Sequence, residues 1–261
     1  MGPRETGAAS MVTTSANRGA PIAPGIVLVH GGSMNSTMWD GLIPLLTGPV
    51  LAVDLPGRRY NPRDLATITT QDFVDSIVRD CQGSGFSDIV VVGHSSAGFA
   101  MPYLPARLDS IRHLVFLSCT VAPPGRRPVD QLKPELRQRV VDGHEALMRD
   151  TRGTTIGGLR PGELPIDTSL RIVENVGATR LFDAPRPAFE RATWRPLPSA
   201  VRRTWVVALD DPVIPVEQAR RMAAFVEPVE FVEVQGGHDP TPYFDRIAEL
   251  LNGLVGSLRL V

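Results

Sequence analysis

Ile89-Val90-Val91-Val92-Gly93-His94-Ser95-Ser96-Ala97-Gly98 is the stretch that decides the fold. A short β-branched run of buried-strand character stops at Gly93, and a serine follows two residues later among small side chains. Strand, sharp turn and helix in that order form a nucleophile elbow, which lifts one hydroxyl above the end of a sheet on a strained backbone. The two arms of such a turn nearly touch, so the positions two before and two after its tip must be small. With Ser95 at the tip those positions are Gly93 and Ala97; with Ser96 they would be His94 and Gly98, and the imidazole would clash. Ser95 is therefore the expected nucleophile.

Working outward, the chain from residue 26 alternates apolar β-branched runs with longer helical patterns. That is the signature of a mostly parallel sheet flanked by helices, an α/β class. Strands are expected at Ile26–Val29, Leu51–Val53, Ile89–Val92, Leu114–Leu117, Trp205–Leu209 and Val229–Val234. Helices are expected at Gln71–Cys81, with Thr70 or Asp72 at its start, at Val216–Phe225, and at Thr241–Leu254. Pro102 and Pro105 fall where the helix after Ser95 should still be running, so it is either short or kinked. The division expected is a core of residues 21–120 and 201–261, interrupted by an inserted helical cap at 121–200. The insertion contains no convincing strand, carries helical pieces near Glu135–Met148 and Leu170–Val176, and is too long for a structureless loop.

Bulk composition excludes several classes. The chain has 261 residues, 43% of them hydrophobic, enough for one large core. Lys+Arg 27 against Asp+Glu 28 leaves no basic surplus for nucleic acid. Lys133 is the only lysine, so phosphate-loop and Schiff-base lysines are missing unless it serves. The 2 Cys, at 81 and 119, lack the paired spacing of a disulfide framework or zinc ribbon, and two ordinary buried thiols are expected rather than a bridge. No metal site and no cofactor are expected. No apolar run approaches the roughly 18 residues of a membrane span. Residues 1–20 lack the apolar core of a signal peptide and read as a disordered tail, which makes a cytoplasmic protein the expectation.

A serine hydroxyl is un-ionised at neutral pH and needs a base in contact, itself held in one tautomer by a third group. The histidines are at 30, 94, 113, 144 and 238. His238 follows the last expected strand in Gln235-Gly236-Gly237-His238, a turn able to present an imidazole at the same sheet end as Ser95. The others have structural readings; His94 points away at the turn. The acid should lie between serine and histidine in the chain. Trp205–Leu209 ends in Asp210-Asp211-Pro212, where adjacent like charges are costly without a function. Asp211 is preferred, with Asp210 the alternative. Ser118-Cys119-Thr120, after the strand before the cap, offers no carboxylate. Oxyanion donors are expected from the Ser96 amide and from the Gly32 amide in His30-Gly31-Gly32-Ser33, with the Ser33 hydroxyl available to substrate. Trp194, Phe182 and Phe189, with Leu181, are expected either as walls of an apolar substrate pocket or as cap core.

Five motifs occur in one order: His30-Gly31-Gly32 with Trp39 nine residues after the histidine, Asp54-Leu55-Pro56-Gly57, the elbow, Asp211-Pro212-Val213-Ile214-Pro215, and Gly237-His238. Over about residues 22–255 the chain resembles the α/β-hydrolase superfamily. The resemblance implies a Ser-His-Asp hydrolase working under a helical cap. Entering the fold at the strand that carries His30, without a leading hairpin, is similar to the compact branch of plant methyl-ester esterases and hydroxynitrile lyases. Three positions qualify the likeness. Ala97 stands where the family mostly has glycine. The lyases use a threonine and a lysine where this chain has Gly31 and Asp239, which disfavours cyanohydrin cleavage. Dehalogenases and many epoxide hydrolases carry aspartate in place of Ser95. The implied activity is hydrolysis of a carboxylic ester or lactone, a small molecule, through an acyl-enzyme. The alternatives are a carbon–carbon hydrolase or cyclase of specialised metabolism, or a non-catalytic ligand-binding member. Oligomeric state is not legible.

Overall fold

The computed structural model describes residues 23–58, 60–150 and 183–259. The tail at 1–20, the helical piece at Leu170–Val176, and Leu181 and Phe182 lie outside the described residues. Six parallel strands form one sheet: β1 (Gly25–Val29), β2 (Val50–Val53), β3 (Ile89–His94), β4 (Ile111–Leu117), β5 (Arg202–Ala208) and β6 (Glu230–Val234). Their spatial order is β2-β1-β3-β4-β5-β6. The chain thus winds outward in one direction from β1 and in the other from β3. The crevice between those two strand ends is where α/β sheets place their ligands.

The central strands are buried on both faces, which is why their sequences run β-branched without alternation. Val27, Val29 and Val91 face one core with α1 (Thr70–Ser84), the turns after Ser95, and α3 (Val216–Ala223). Ile26, Leu28, Val90 and Val92 face the other core, with Trp39 at the end of the 3₁₀ turn Ser36–Trp39 and with Phe244 and Leu251 of α4 (Phe244–Leu258). The expected strands all form, with shifted starts. β4 begins at Ile111 and β5 at Arg202, because Arg112, His113, Arg202 and Arg203 mask the beginnings of otherwise apolar runs. Thr69, rather than either expected residue, caps α1. Its hydroxyl accepts from the Asp72 amide while the Asp72 carboxylate reaches back to the Thr69 amide, a reciprocal capping box.

After the elbow the chain makes two successive 3₁₀ turns, Ser95–Phe99 and Met101–Ala106, in place of an α-helix. Pro102 and Pro105 cannot donate the amide bonds an α-helix would require there. Between β4 and β5 the described residues contain no strand. They form a 3₁₀ turn at Pro128–Gln131, α2 (Pro134–Asp150) and a one-turn helix at Arg186–Phe189. The outgoing and returning chains meet where Gly125 N–H donates to the Ala192 carbonyl at 2.7 Å and Ala192 N–H to the Arg126 carbonyl at 2.8 Å. Among the described residues no helix is long and apolar enough to cross a membrane.

Cys81 and Cys119 are free and buried. Burial, followed by the Asp80 charge, pushes the Cys81 thiol up to about 12, and burial also raises Cys119. Neither thiol should react with Ellman's reagent in the native protein at mildly alkaline pH, and both should react after denaturation. In denaturant unfolding, Thr69→Ala should cost about 1 kcal/mol. Ile77→Ala, in the centre of the α1 interface, should cost about 2–5 kcal/mol.

Candidate active site

The turn leaving β3 places Ser95 at φ 53, the left-handed region that a serine enters only under strain. A Cβ on Gly93 would strike the Met101 sulfur and lie 3.0 Å from the Ala97 Cβ, so the arms of the turn meet at the expected positions. The elbow is tied to the next strand end. Thr120 N–H donates to the Ser95 carbonyl at 3.0 Å, and the Cys119 thiol donates to the Gly93 carbonyl at 3.0 Å.

His238 and Asp211 reach the same rim from β6 and β5. The Ser95 hydroxyl lies 2.9 Å from His238 Nε2, and His238 Nδ1 lies 2.8 Å from Asp211 Oδ2. A carboxylate can only accept, so Nδ1 carries the hydrogen and Nε2 offers its lone pair to the serine. The other Asp211 oxygen accepts the Val213 and Ile214 amides, both at 2.8 Å. Burial of Asp211 works to raise its pKa, but the bond from His238, that imidazole's charge and the two amides prevail and hold it below the ordinary carboxylate range. Of the paired aspartates, Asp211 faces the imidazole and Asp210 turns outward to the Gln235 amide.

Two other histidines build the frame and stay neutral. His94 Nε2 donates to the His238 carbonyl at 2.9 Å, and its ring lies 4.9 Å from the His238 ring. Burial first, then the neighbouring His238, lower His94 to about 3. Its Nδ1 has no hydrogen-bond partner among the described residues. His30 Nε2 accepts the Leu55 amide at 3.1 Å and Nδ1 donates to the Gly31 carbonyl at 2.8 Å, bolting the end of β1 to the turn after β2. Burial and the Arg58 charge lower it to about 4. His113 is buried against the Thr204 hydroxyl at 2.8 Å.

The glycines after β1 sit where side chains would intrude. A Cβ on Gly31 would lie 2.6 Å from His94 Nδ1 and 3.0 Å from the Ser95 Cβ. One on Gly32 would lie 2.9 Å from Asp183 Oδ2 and 3.3 Å from the Ser96 hydroxyl. Gly32 and Ser96 thus lie together beside Ser95. The Ser33 hydroxyl donates to Asp183 at 3.1 Å. Trp194 is packed in the core beside the sheet, its indole N–H donating to the Ala122 carbonyl at 2.9 Å. Phe189 ends the one-turn helix and is half-buried.

Three contributors escape a reading of the sequence. Arg58 and Asp183 are 125 positions apart yet form an ion pair beside Ser33, and no local pattern marks either. Tyr243 donates its hydroxyl to the Gly237 carbonyl at 3.0 Å, steadying the turn before His238. Its place six residues beyond that turn was the available signal.

Comparison with known proteins bears on the fold and the family. The pyrethroid hydrolase of Sphingobium wenxiniae is 26% identical over 258 residues, spanning 87% of this chain and 85% of that protein. An extracellular α/β-hydrolase from a Paenibacillus species superimposes with a TM-score of 0.67 at 17% identity, over 87% of this chain and 97% of the other. A pyrethroid hydrolase from Sphingobium faniae superimposes with a TM-score of 0.63 at 21% identity, over 90% and 98%. The two structural likenesses concern the fold. A sequence model of the alpha/beta hydrolase family matches residues 26–251, nearly the whole described core, and the chain belongs to that family.

Proposed function

We propose that the protein is a serine hydrolase that cleaves a carboxylic ester or lactone of a small to medium apolar molecule. The observation that carries this reading is the unbroken contact from the Ser95 hydroxyl through His238 to Asp211, ending on a strained serine. In this mechanism His238 Nε2 takes the Ser95 proton as the oxygen attacks the substrate carbonyl. Asp211 holds the imidazole in the reactive tautomer and stabilises the imidazolium. The Gly32 and Ser96 amides receive the developing oxyanion. Collapse expels the alcohol, protonated by His238, and leaves an acyl group on Ser95. A water activated by the same imidazole then releases the acid. His238 mediates each proton transfer in this scheme, from Ser95 to the leaving alcohol and from water back to Ser95.

The residues between β4 and β5 are proposed to cap the site and select the substrate, with Phe189 among the lining side chains. Two of the similar proteins bear the name pyrethroid hydrolase, which favours hydrolysis over a ligand-binding member of the family.

Ser95→Ala should lower kcat/KM for p-nitrophenyl butyrate at least about 10³-fold and abolish labelling by a fluorophosphonate. Asp211→Asn should keep the packing but lose roughly 10³–10⁴ in kcat, because the amide favours the wrong tautomer. Near-normal turnover by Ser95→Ala would refute the assignment, and an unlabelled wild type would favour a binding protein.

A further inference from the structure

Asp183 lies outside the proton relay, yet its carboxylate is seated in a prepared cradle at the end of β1. Ser33 N–H donates to Oδ1 at 2.7 Å and the Ser33 hydroxyl to Oδ2 at 3.1 Å, while Arg58 Nη2 pairs with Oδ1. The Arg58 side chain is only 5% exposed, and its Nε donates to the Met34 carbonyl at 2.6 Å. The cation is therefore fixed before the carboxylate arrives. Asp183 itself is open to solvent, 47% exposed. Ser33 holds φ 60, a left-handed conformation that is strained for a residue with a Cβ. The residue immediately before it is Gly32, the proposed oxyanion donor.

Resting on the ester-hydrolase reading, we infer that Asp183 is a positioning residue for the oxyanion loop. Its carboxylate pins the peptide between Gly32 and Ser33 and holds Ser33 in the left-handed region. Gly32, hinged on both sides by the freedom of a glycine, then has its own N–H aimed at the carbonyl above Ser95. A bare carboxylate so close to a developing oxyanion would oppose the reaction. The buried Arg58 guanidinium cancels that charge, which explains why a cation is fixed at this spot. The contact also joins the chain returning from the β4–β5 connection to the catalytic rim.

Steady-state hydrolysis of p-nitrophenyl butyrate tests the assignment. Asp183→Ala is expected to lose about tenfold or more in kcat with a small change in KM, since a displaced donor loses transition-state binding first. Its thermal midpoint should fall moderately, because the buried Arg58 loses a carboxylate partner, while the protein stays folded. Asp183→Asn, which keeps an acceptor for Ser33, should retain more activity. Sodium formate, at constant ionic strength against chloride, should raise the kcat of Asp183→Ala and leave wild type unchanged, because the small carboxylate refills the cradle. An unaffected kcat in Asp183→Ala, or a loss that formate does not restore, overturns the inference. Wild-type turnover separates the two readings: its absence ends the ester-hydrolase reading, and its presence beside an unaffected Asp183→Ala ends this one alone. Formate-dependent thermal stabilisation of Asp183→Ala reads the cradle without any turnover, and its absence counts against the inference in either case.

Discussion

Ser95 holds a left-handed backbone because two neighbouring chain segments approach to van der Waals distance, and the rest of the site is arranged around that closure. Nothing larger than hydrogen fits at Gly93, and the single methyl of Ala97 fills the space opposite. A lone residue in this conformation costs about 1–2 kcal/mol, so its surroundings must over-determine it. They do so through β3, buried along its whole length, and through bonds from Thr120 and Cys119 that lash the turn to the end of β4. The 3₁₀ turns that follow carry Met101 back under Gly93, so the departure from an α-helix is part of the same packing solution.

Electrostatics sorts the histidines that crowd this rim. His30 and His94 are buried and far below their ordinary pKa, so both remain neutral and serve as hydrogen-bond struts. His238 alone among the three keeps part of its ring in solvent and has a carboxylate behind it. The three imidazoles thus differ in surroundings: two are enclosed by the fold, and the third lies between a hydroxyl and a carboxylate. His94 also grips the His238 carbonyl, which links the elbow mechanically to the imidazole it faces.

How much of this the sequence carries follows from the range of each interaction. The strands are legible because burial on both faces imposes uninterrupted β-branched runs, and α1 because its apolar stripe repeats at helical spacing. Their starts are less so, since arginines and a histidine sit at the first positions of β4 and β5. Ser95, His238 and Asp211 can be singled out because each follows a recognisable strand. The cradle of Arg58, Ser33 and Asp183 is invisible to such reasoning. It joins three turns with no periodicity of their own, and neither charge is unusual until the fold brings them together. Trp194 illustrates the complementary difficulty: an aromatic residue in an insertion suits a pocket wall or a core equally, and only packing shows it among buried neighbours.

Among the described residues, the non-glycine positions with positive φ are Ser33, Ser95 and Ser118, one at the exit of each of three adjacent strands, β1, β3 and β4. Ser95 and Ser118 follow directly on the last residues of β3 and β4, and Ser33 stands four residues beyond the end of β1. Three neighbouring strand exits are thus shaped by the main chain, side by side along the sheet. Two of these turns are tied to the β4–β5 connection: Ser118 is its first residue, and Asp183 within it accepts the Ser33 amide. Exchanging that connection for another therefore reaches the turn after β1 as well, and the replacement has to supply a new acceptor for the Ser33 amide.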